Sequence, residues 1–256
     1  MPSESFFNML IYCMTCLAVV VFVSLFYVTA GYGQFRTKRW GLSINNKLGW
    51  VLMELPVLLV MLTIWFASPL KWHMPQLVLF GLFELHYFQR SLVFPFLMKG
   101  TSRMPVGIML MGVVFNVING MIQGGGLYWF PNPDFEQGTA YLLRPNAIAG
   151  ILLFLVGMGI NLHSDHVVRH LRKPGDTGHY LPQKGMYRFV TSANYFGEIV
   201  EWTGFAIAAA TPAAWVFPLW TAANLVPRAH AIYNRYRDEF GEGALGKRKR
   251  IVPFVY

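Results

Sequence analysis

Ionisable and amide side chains recur inside the long apolar stretches of this chain, and their spacing is the first sign of chemistry. Glu54 interrupts one such run; Glu84, His86, Tyr87 and Arg90 interrupt the next. Asn161, His163 and Asp165, then Asn194, Glu198 and Glu201, and finally Arg228 with His230 do the same further on. In hydrocarbon such groups are costly unless they face protein or water, so each is a candidate site residue. His86 and Arg90, Asn161 and Asp165, and Asn194, Glu198 and Glu201 follow one another at steps of three or four, which places each set on one helical face. Any one of them reads as interhelical glue. Five helices polar at one depth read better as the wall of a water-accessible cavity open to the cytoplasm. Arg90, Arg172 and Arg228 beside carboxylates and amides suit a large ligand bearing phosphates, ribose hydroxyls and an amide, a description that fits a dinucleotide.

Two residues are ambiguous on spacing alone. Tyr87, between His86 and Phe88, reads as a packed aromatic as readily as a catalytic hydroxyl. Glu54 precedes Leu55 and Pro56, and a proline inside a membrane helix frees a backbone carbonyl near the charge. Other chemistries find little support. No GxGxxG opens a helix after a strand, and no GxxxxGK[ST] occurs, so helices must hold any nucleotide. His163, His166 and His170 share a helical face, but one histidine cluster is too few for a membrane iron site, and no metal is expected. Cys13 and Cys16 lie inside the first apolar run, away from water and oxidants, which argues against a redox pair.

The elements that must position these residues are transmembrane helices. Hydrophobic residues make up 55% of the 256-residue chain and charged ones only 13%, too few to coat a soluble globule of this size. Apolar runs predict spans at residues 6–30, 47–67, 75–97, 105–123, 146–166, 187–210 and 213–234. The first has no basic leader or cleavage site and reads as a retained helix. Gly124 to Arg144, rich in glycine and proline, is expected to be a turn-rich outer loop that opens with a flexible Gly124–Gly126 run.

Arg36, Lys38, Arg39, Lys47, Lys99, Arg103, Arg169, Arg172, Lys173, Lys184, Arg188 and the basic tail fall on one side of those spans; Lys71 and Arg144 fall on the other. The positive-inside rule then puts the N-terminus outside and the C-terminus in the cytoplasm. The expected fold is an all-α integral membrane protein, a seven-transmembrane helix bundle forming one domain over 1–256. Its net charge of +9 is split among short loops, which suits anionic lipid headgroups and an anionic ligand rather than nucleic acid.

Several motifs, in order, carry a resemblance. Glu54-Leu55-Pro56, His86-Tyr87-Phe88 with Arg90, and Asn161-Leu-His163-Ser-Asp165 leading to Leu171-Arg172-Lys173-Pro174-Gly175 come first. Ser192-Ala-Asn194-Tyr-Phe-Gly197-Glu198-Ile-Val-Glu201-Trp202 and the terminal Ile251-Val-Pro253-Phe254 complete it, over roughly four-fifths of the chain. Together they resemble the steroid 5α-reductase (3-oxo-5α-steroid 4-dehydrogenase) family, as a bacterial homologue.

The resemblance implies a seven-helix enzyme that uses NADPH to reduce the C4–C5 double bond of a 3-oxo-Δ4 steroid. It implies Tyr87 and Glu54 as the catalytic pair at the enone carbonyl. It also implies that Arg90, Asn161, Asp165, Arg172, His179, Asn194, Glu198, Trp202, Arg228 and Tyr236 line the cofactor. The expected partners are a steroid or steroid-like lipid and membrane lipids, and the expected state is a monomer. Its setting is a bacterial inner membrane or endoplasmic reticulum membrane, crossed several times, with the site facing the cytoplasm. Met53, Met98 and His179 depart from the family pattern, where Gln, Asn and Tyr are common, and His230 stands where animal relatives carry a histidine-rich run. A reductase of trans-2-enoyl-CoA or polyprenol, or a lipid transporter, are the competing readings.

Overall fold

A computed structural model describes residues 1–28, 31, 40–100, 102–172, 176 and 178–256. Arg36, Lys38, Arg39, Lys173, Pro174 and Gly175, all used in the sequence reading, lie outside the described residues. The long helices are α1 (Glu4–Tyr27), α2 (Asn46–Ala67), α3 (Met74–Phe88), α5 (Val106–Tyr128), α7 (Pro145–Arg169), α8 (Ala193–Ala209) and α9 (Pro212–Phe240). Short helices α4 (Phe94–Leu97), α6 (Thr139–Leu142) and α10 (Glu242–Leu245) lie between or after them. Each of the seven predicted apolar runs overlaps one of these helical stretches, although the sixth run begins at 187 and α8 starts at Ala193. Of them, α1, α2, α5 and α7 are long and apolar enough to cross a membrane. Val20, Leu59, Val114 and Val156 point outward from those four helices, as expected of a protein solvated by lipid.

Local sequence explains the starts and breaks. Ser3 caps α1 by accepting from the Phe6 amide, and Asn45 caps α2 by accepting from Lys47 and Leu48. Proline stands in the first turn of α3, α7 and α9, where its missing N–H costs nothing. After Phe88 the helix widens into a π-helical turn, Gln89–Val93, that runs straight into α4. Pro95 accounts for the widening: it cannot donate to the carbonyl four residues back, and its ring would press on that carbonyl. A two-stranded antiparallel ribbon, β1 (Ser43–Asn45) with β2 (Arg103–Pro105), was not expected in an all-α chain. It ties the start of α2 to the start of α5.

The Gly124–Gly126 prediction is corrected. These glycines are not a loop but part of the last turns of α5, and they are buried. A Cβ on Gly124 would meet Ile64 of α2, and one on Gly126 would meet Ala213 of α9. Close helix approach, not flexibility, is the reason for glycine here. The same logic builds the closest helix pair. Gly150 and Gly157 of α7 face Gly204 and Gly197 of α8, and a Cβ on any of the four would strike the backbone of the opposite helix.

The core beneath these seams is aromatic. Trp202, fully buried, packs against Phe83, Phe154, Phe205 and Phe217. The C-terminal strap closes one end of the molecule. The Lys249 amide donates to the Phe189 carbonyl, and the Lys249 carbonyl accepts from Thr191 on the approach to α8, while Ile251 is buried.

Candidate functional site

The strap and the α7–α8 seam together fix the first turn of α8, and the site begins there. Asn194 donates to Asp165 Oδ1 at 3.2 Å, Asn161 donates to the Asn194 carbonyl at 3.0 Å, and the Tyr187 hydroxyl donates to Asn194 Oδ1 at 3.4 Å. Arg90, delivered by the π-helical turn, joins the same group. Its guanidinium lies 3.5 Å from Asp165 and 4.0 Å from Glu198, and it stacks over Trp50 and Phe94. One cation thus stands between two carboxylates on different helices, in a flat, largely buried setting that suits arginine better than lysine. Further along α8, Tyr195 accepts a hydrogen bond of 2.9 Å from Arg228 of α9.

A second group sits beside the first. The α5 face carries Asn116, Asn119 and Gln123 at helical spacing, all buried. Asn116 donates to the Met53 carbonyl at 2.7 Å and to Glu54 Oε2 at 3.2 Å. One turn on, Asn119 donates to the Tyr87 hydroxyl at 3.3 Å. Gln123 donates to Asn119 Oδ1 and to the Ala213 carbonyl. Glu54 and Tyr87, on different helices, are therefore held by neighbouring amides of a third. Arg90, Glu198 and His86 all lie within electrostatic reach of Glu54, so the two groups adjoin.

The aromatic core backs Tyr87. Its ring packs against Phe83, Trp202 and Phe217, and the adjacent His86 packs edge-on to Trp202. His86 Nδ1 lies 2.7 Å from Glu201 Oε1, with both side chains buried. Trp202 Nε1, Glu201 Oε2 and Gln123 Oε1, and Ser192 Oγ at the start of α8, are buried polar atoms with no hydrogen-bond partner among the described residues. Groups of this kind mark places where a polar ligand or water belongs.

Of the sequence-predicted site residues, the structure brings Arg90, Asn161, Asp165, Asn194 and Glu198 into one network, and Glu54 and Tyr87 onto one amide ladder. Trp202 lies in the core under Tyr87, and Arg228 reaches the group through Tyr195. Tyr236 lies on α9, within electrostatic reach of Tyr195 and Tyr187. Arg172 and His179 lie apart from this buried network. Arg172 is exposed just after α7, near Asp176, whose carboxyl is held below the usual carboxylate range by the Gly178 amide and the Tyr180 hydroxyl. His179 is exposed, and its Nδ1 lies 3.1 Å from Glu239 Oε1 and 3.3 Å from the Arg235 guanidinium, both on α9.

Sequence reasoning missed Asn116, Asn119 and Gln123. The signal was present, since three amides on one face of an apolar run must find partners in lipid just as charged groups must. It also left Glu201 without a partner, which His86 supplies from 115 residues away.

Comparison with known proteins points the same way. A family model described as 3-oxo-5-alpha-steroid 4-dehydrogenase matches residues 102–256. The chain is 35% identical over 252 residues to 3-oxo-5-alpha-steroid 4-dehydrogenase 1 of Bos taurus, covering 96% of this chain and 95% of that protein. It is 37% identical over 248 residues to the Mus musculus protein of the same name, with the same coverage. With the steroid 5-alpha-reductase DET2 of Gossypium hirsutum it shares 33% over 252 residues, 96% of each chain. Similarity of this extent spans both polar groups, the aromatic core and the strap, and the chain accordingly belongs to the 3-oxo-5-alpha-steroid 4-dehydrogenase family of oxidoreductases.

Proposed function

We propose that this protein reduces the C4–C5 double bond of a 3-oxo-Δ4 steroid, with NADPH as the reductant, inside a seven-helix membrane bundle whose site faces the cytoplasm. The observation that carries the reading is the placement of Glu54 and Tyr87 by Asn116 and Asn119, one turn apart on α5. An enone accepts hydride at its β carbon only when the charge growing on the carbonyl oxygen is stabilised by a donor against that oxygen. Tyr87 supplies an O–H for that purpose. Glu54, with one carboxyl oxygen engaged by Asn116, has its other oxygen available to hold a proton for the ketone or for Tyr87.

The donor set fits a nicotinamide dinucleotide. Guanidinium groups such as Arg90 and Arg228 suit phosphates, while Asp165, Glu198 and Asn194 suit ribose hydroxyls and a carboxamide. Ser192 Oγ at the start of α8 and Trp202 Nε1 ten residues on, without partners among the described residues, add hydrogen-bonding capacity along that helix. In this reading Arg90, Asn161, Asp165, Arg172, His179, Asn194, Glu198, Trp202, Arg228 and Tyr236 seat the cofactor. NADPH, when bound, supplies the hydride delivered to C5, and a proton completes C4. The names of the relatives, which denote steroid reduction, support the substrate class.

The basic loops support the orientation, with the N-terminus outside and the C-terminus in the cytoplasm. The test is turnover by purified protein in detergent with NADPH and a panel of 3-oxo-Δ4 steroids, a trans-2-enoyl-CoA and a polyprenol. Consumption of the steroid enone with formation of the 5α product is expected. Turnover confined to the enoyl-CoA or the polyprenol would replace the steroid reading, and NADPH binding without any turnover would remove it.

A further inference from the structure

We propose that the α5 amides form a hydrogen-bond ladder of fixed polarity, in which Gln123 and Asn119 are positioning residues that leave the Tyr87 hydroxyl proton free for the substrate. The inference rests on the reading of Tyr87 as the carbonyl donor. Polarity is set at the far end of the ladder. The Ala213 carbonyl can only accept, and Gln123 lies 3.0 Å from it through Nε2. That contact fixes which end of the Gln123 amide carries the donors. The same Nε2 lies 3.4 Å from Asn119 Oδ1, so the Asn119 oxygen is occupied as an acceptor and its nitrogen must face the other way. Asn119 Nδ2 then lies 3.3 Å from the Tyr87 oxygen and donates to it.

A hydroxyl has one proton and accepts through its oxygen. With Asn119 donating, the Tyr87 proton is not taken up by this amide and is directed elsewhere. Were the Asn119 amide reversed, its oxygen would capture that proton and the tyrosine would be spent inside the protein.

The setting resists reversal. Tyr87, Asn119 and Gln123 are each at most 2% exposed, so water does not compete for these bonds. Gly120, between the two amides, packs closely on α2: a Cβ there would lie 3.0 Å from the Val60 side chain and 3.2 Å from the Val57 carbonyl. Gly126 plays the same part against Ala213, keeping α5 against the first turn of α9 where the anchoring carbonyl lies.

The experiment uses the full-length protein in detergent with NADPH and a 3-oxo-Δ4 steroid. Asn119→Leu removes the donor, and Gln123→Met removes the anchor while nearly preserving volume. Asn119→Leu is expected to lower kcat by roughly 10- to 100-fold and Gln123→Met by several-fold, about 3 to 10, with KM for steroid and for NADPH changed less than about twofold. In a Tyr87→Phe background neither substitution should lower kcat further, because the hydroxyl they position is gone. Should Asn119→Leu fail to fold, Gln123→Met alone carries the test. An unchanged kcat in Gln123→Met, or losses that multiply in the Tyr87→Phe background, would overturn the ladder. Wild-type turnover by Tyr87→Phe itself would instead overturn the underlying assignment of Tyr87, and the ladder with it.

Discussion

His86 Nδ1 and Glu201 Oε1 stand 2.7 Å apart, across 115 residues of sequence, beside the ring of Trp202. The contact joins α3 to α8 at the level of Tyr87, so it fixes the backbone that presents the hydroxyl. Truncating one member of a buried, hydrogen-bonded pair strands the other. Glu201→Leu is therefore expected to destabilise the protein by roughly 3 kcal/mol, while Glu201→Gln, which keeps a hydrogen-bonding oxygen, costs less than half as much. Thermal unfolding in detergent measures both.

Glu54 and Tyr87 share one supporting face, and their removal should affect chemistry more than binding. Tyr87→Phe and Glu54→Gln are each expected to lower kcat by about 100-fold or more, with NADPH affinity within about threefold of the parent. Steady-state turnover and calorimetric titration with NADPH separate the two. Loss of NADPH binding in both would place these residues on the cofactor instead.

Arg90 should show the opposite pattern. Its planar guanidinium reaches Asp165 and Glu198 while stacked over Trp50 and Phe94. A lysine retains the charge but neither the fork nor the stack. Arg90→Lys is expected to weaken NADPH binding by about tenfold or more, read by the same titration.

The α7–α8 seam makes a sharper structural prediction. A Cβ on Gly157 would press on the Glu201 backbone, whereas one on Gly159 in the same helix meets nothing within 4 Å. Gly157→Ala should destabilise by about 2 kcal/mol or more through overpacking. Gly159→Ala should be neutral or stabilising by up to about 1 kcal/mol, since alanine is the better helix former. Equal melting temperatures for the two variants would mean the helices do not approach as described.

Much of the site was legible because the lipid environment makes polarity conspicuous. Arg90, Asn161, Asp165, Asn194 and Glu198 were visible as costly interruptions of apolar runs, and they do meet. Asn116, Asn119 and Gln123 were overlooked because uncharged amides interrupt an apolar run less abruptly than charges do. Gly124–Gly126 misled for a different reason. Glycine marks loops in water-soluble chains, but between helices it marks close approach, and the sequence does not say which neighbour comes near.

The amino-acid sequence by itself determined that this chain is helical, that its helices are apolar enough for lipid, and which faces carry polar groups. Those properties follow from residue type and a period of 3.6, both of which are local. Only the tertiary structure decided that Asn116 serves Glu54, that Asn119 serves Tyr87, and that His86 belongs to Glu201. Those pairings join residues from 32 to 115 positions apart. They depend on the distance and rotation between helices, which are set by where glycine seams let backbones touch.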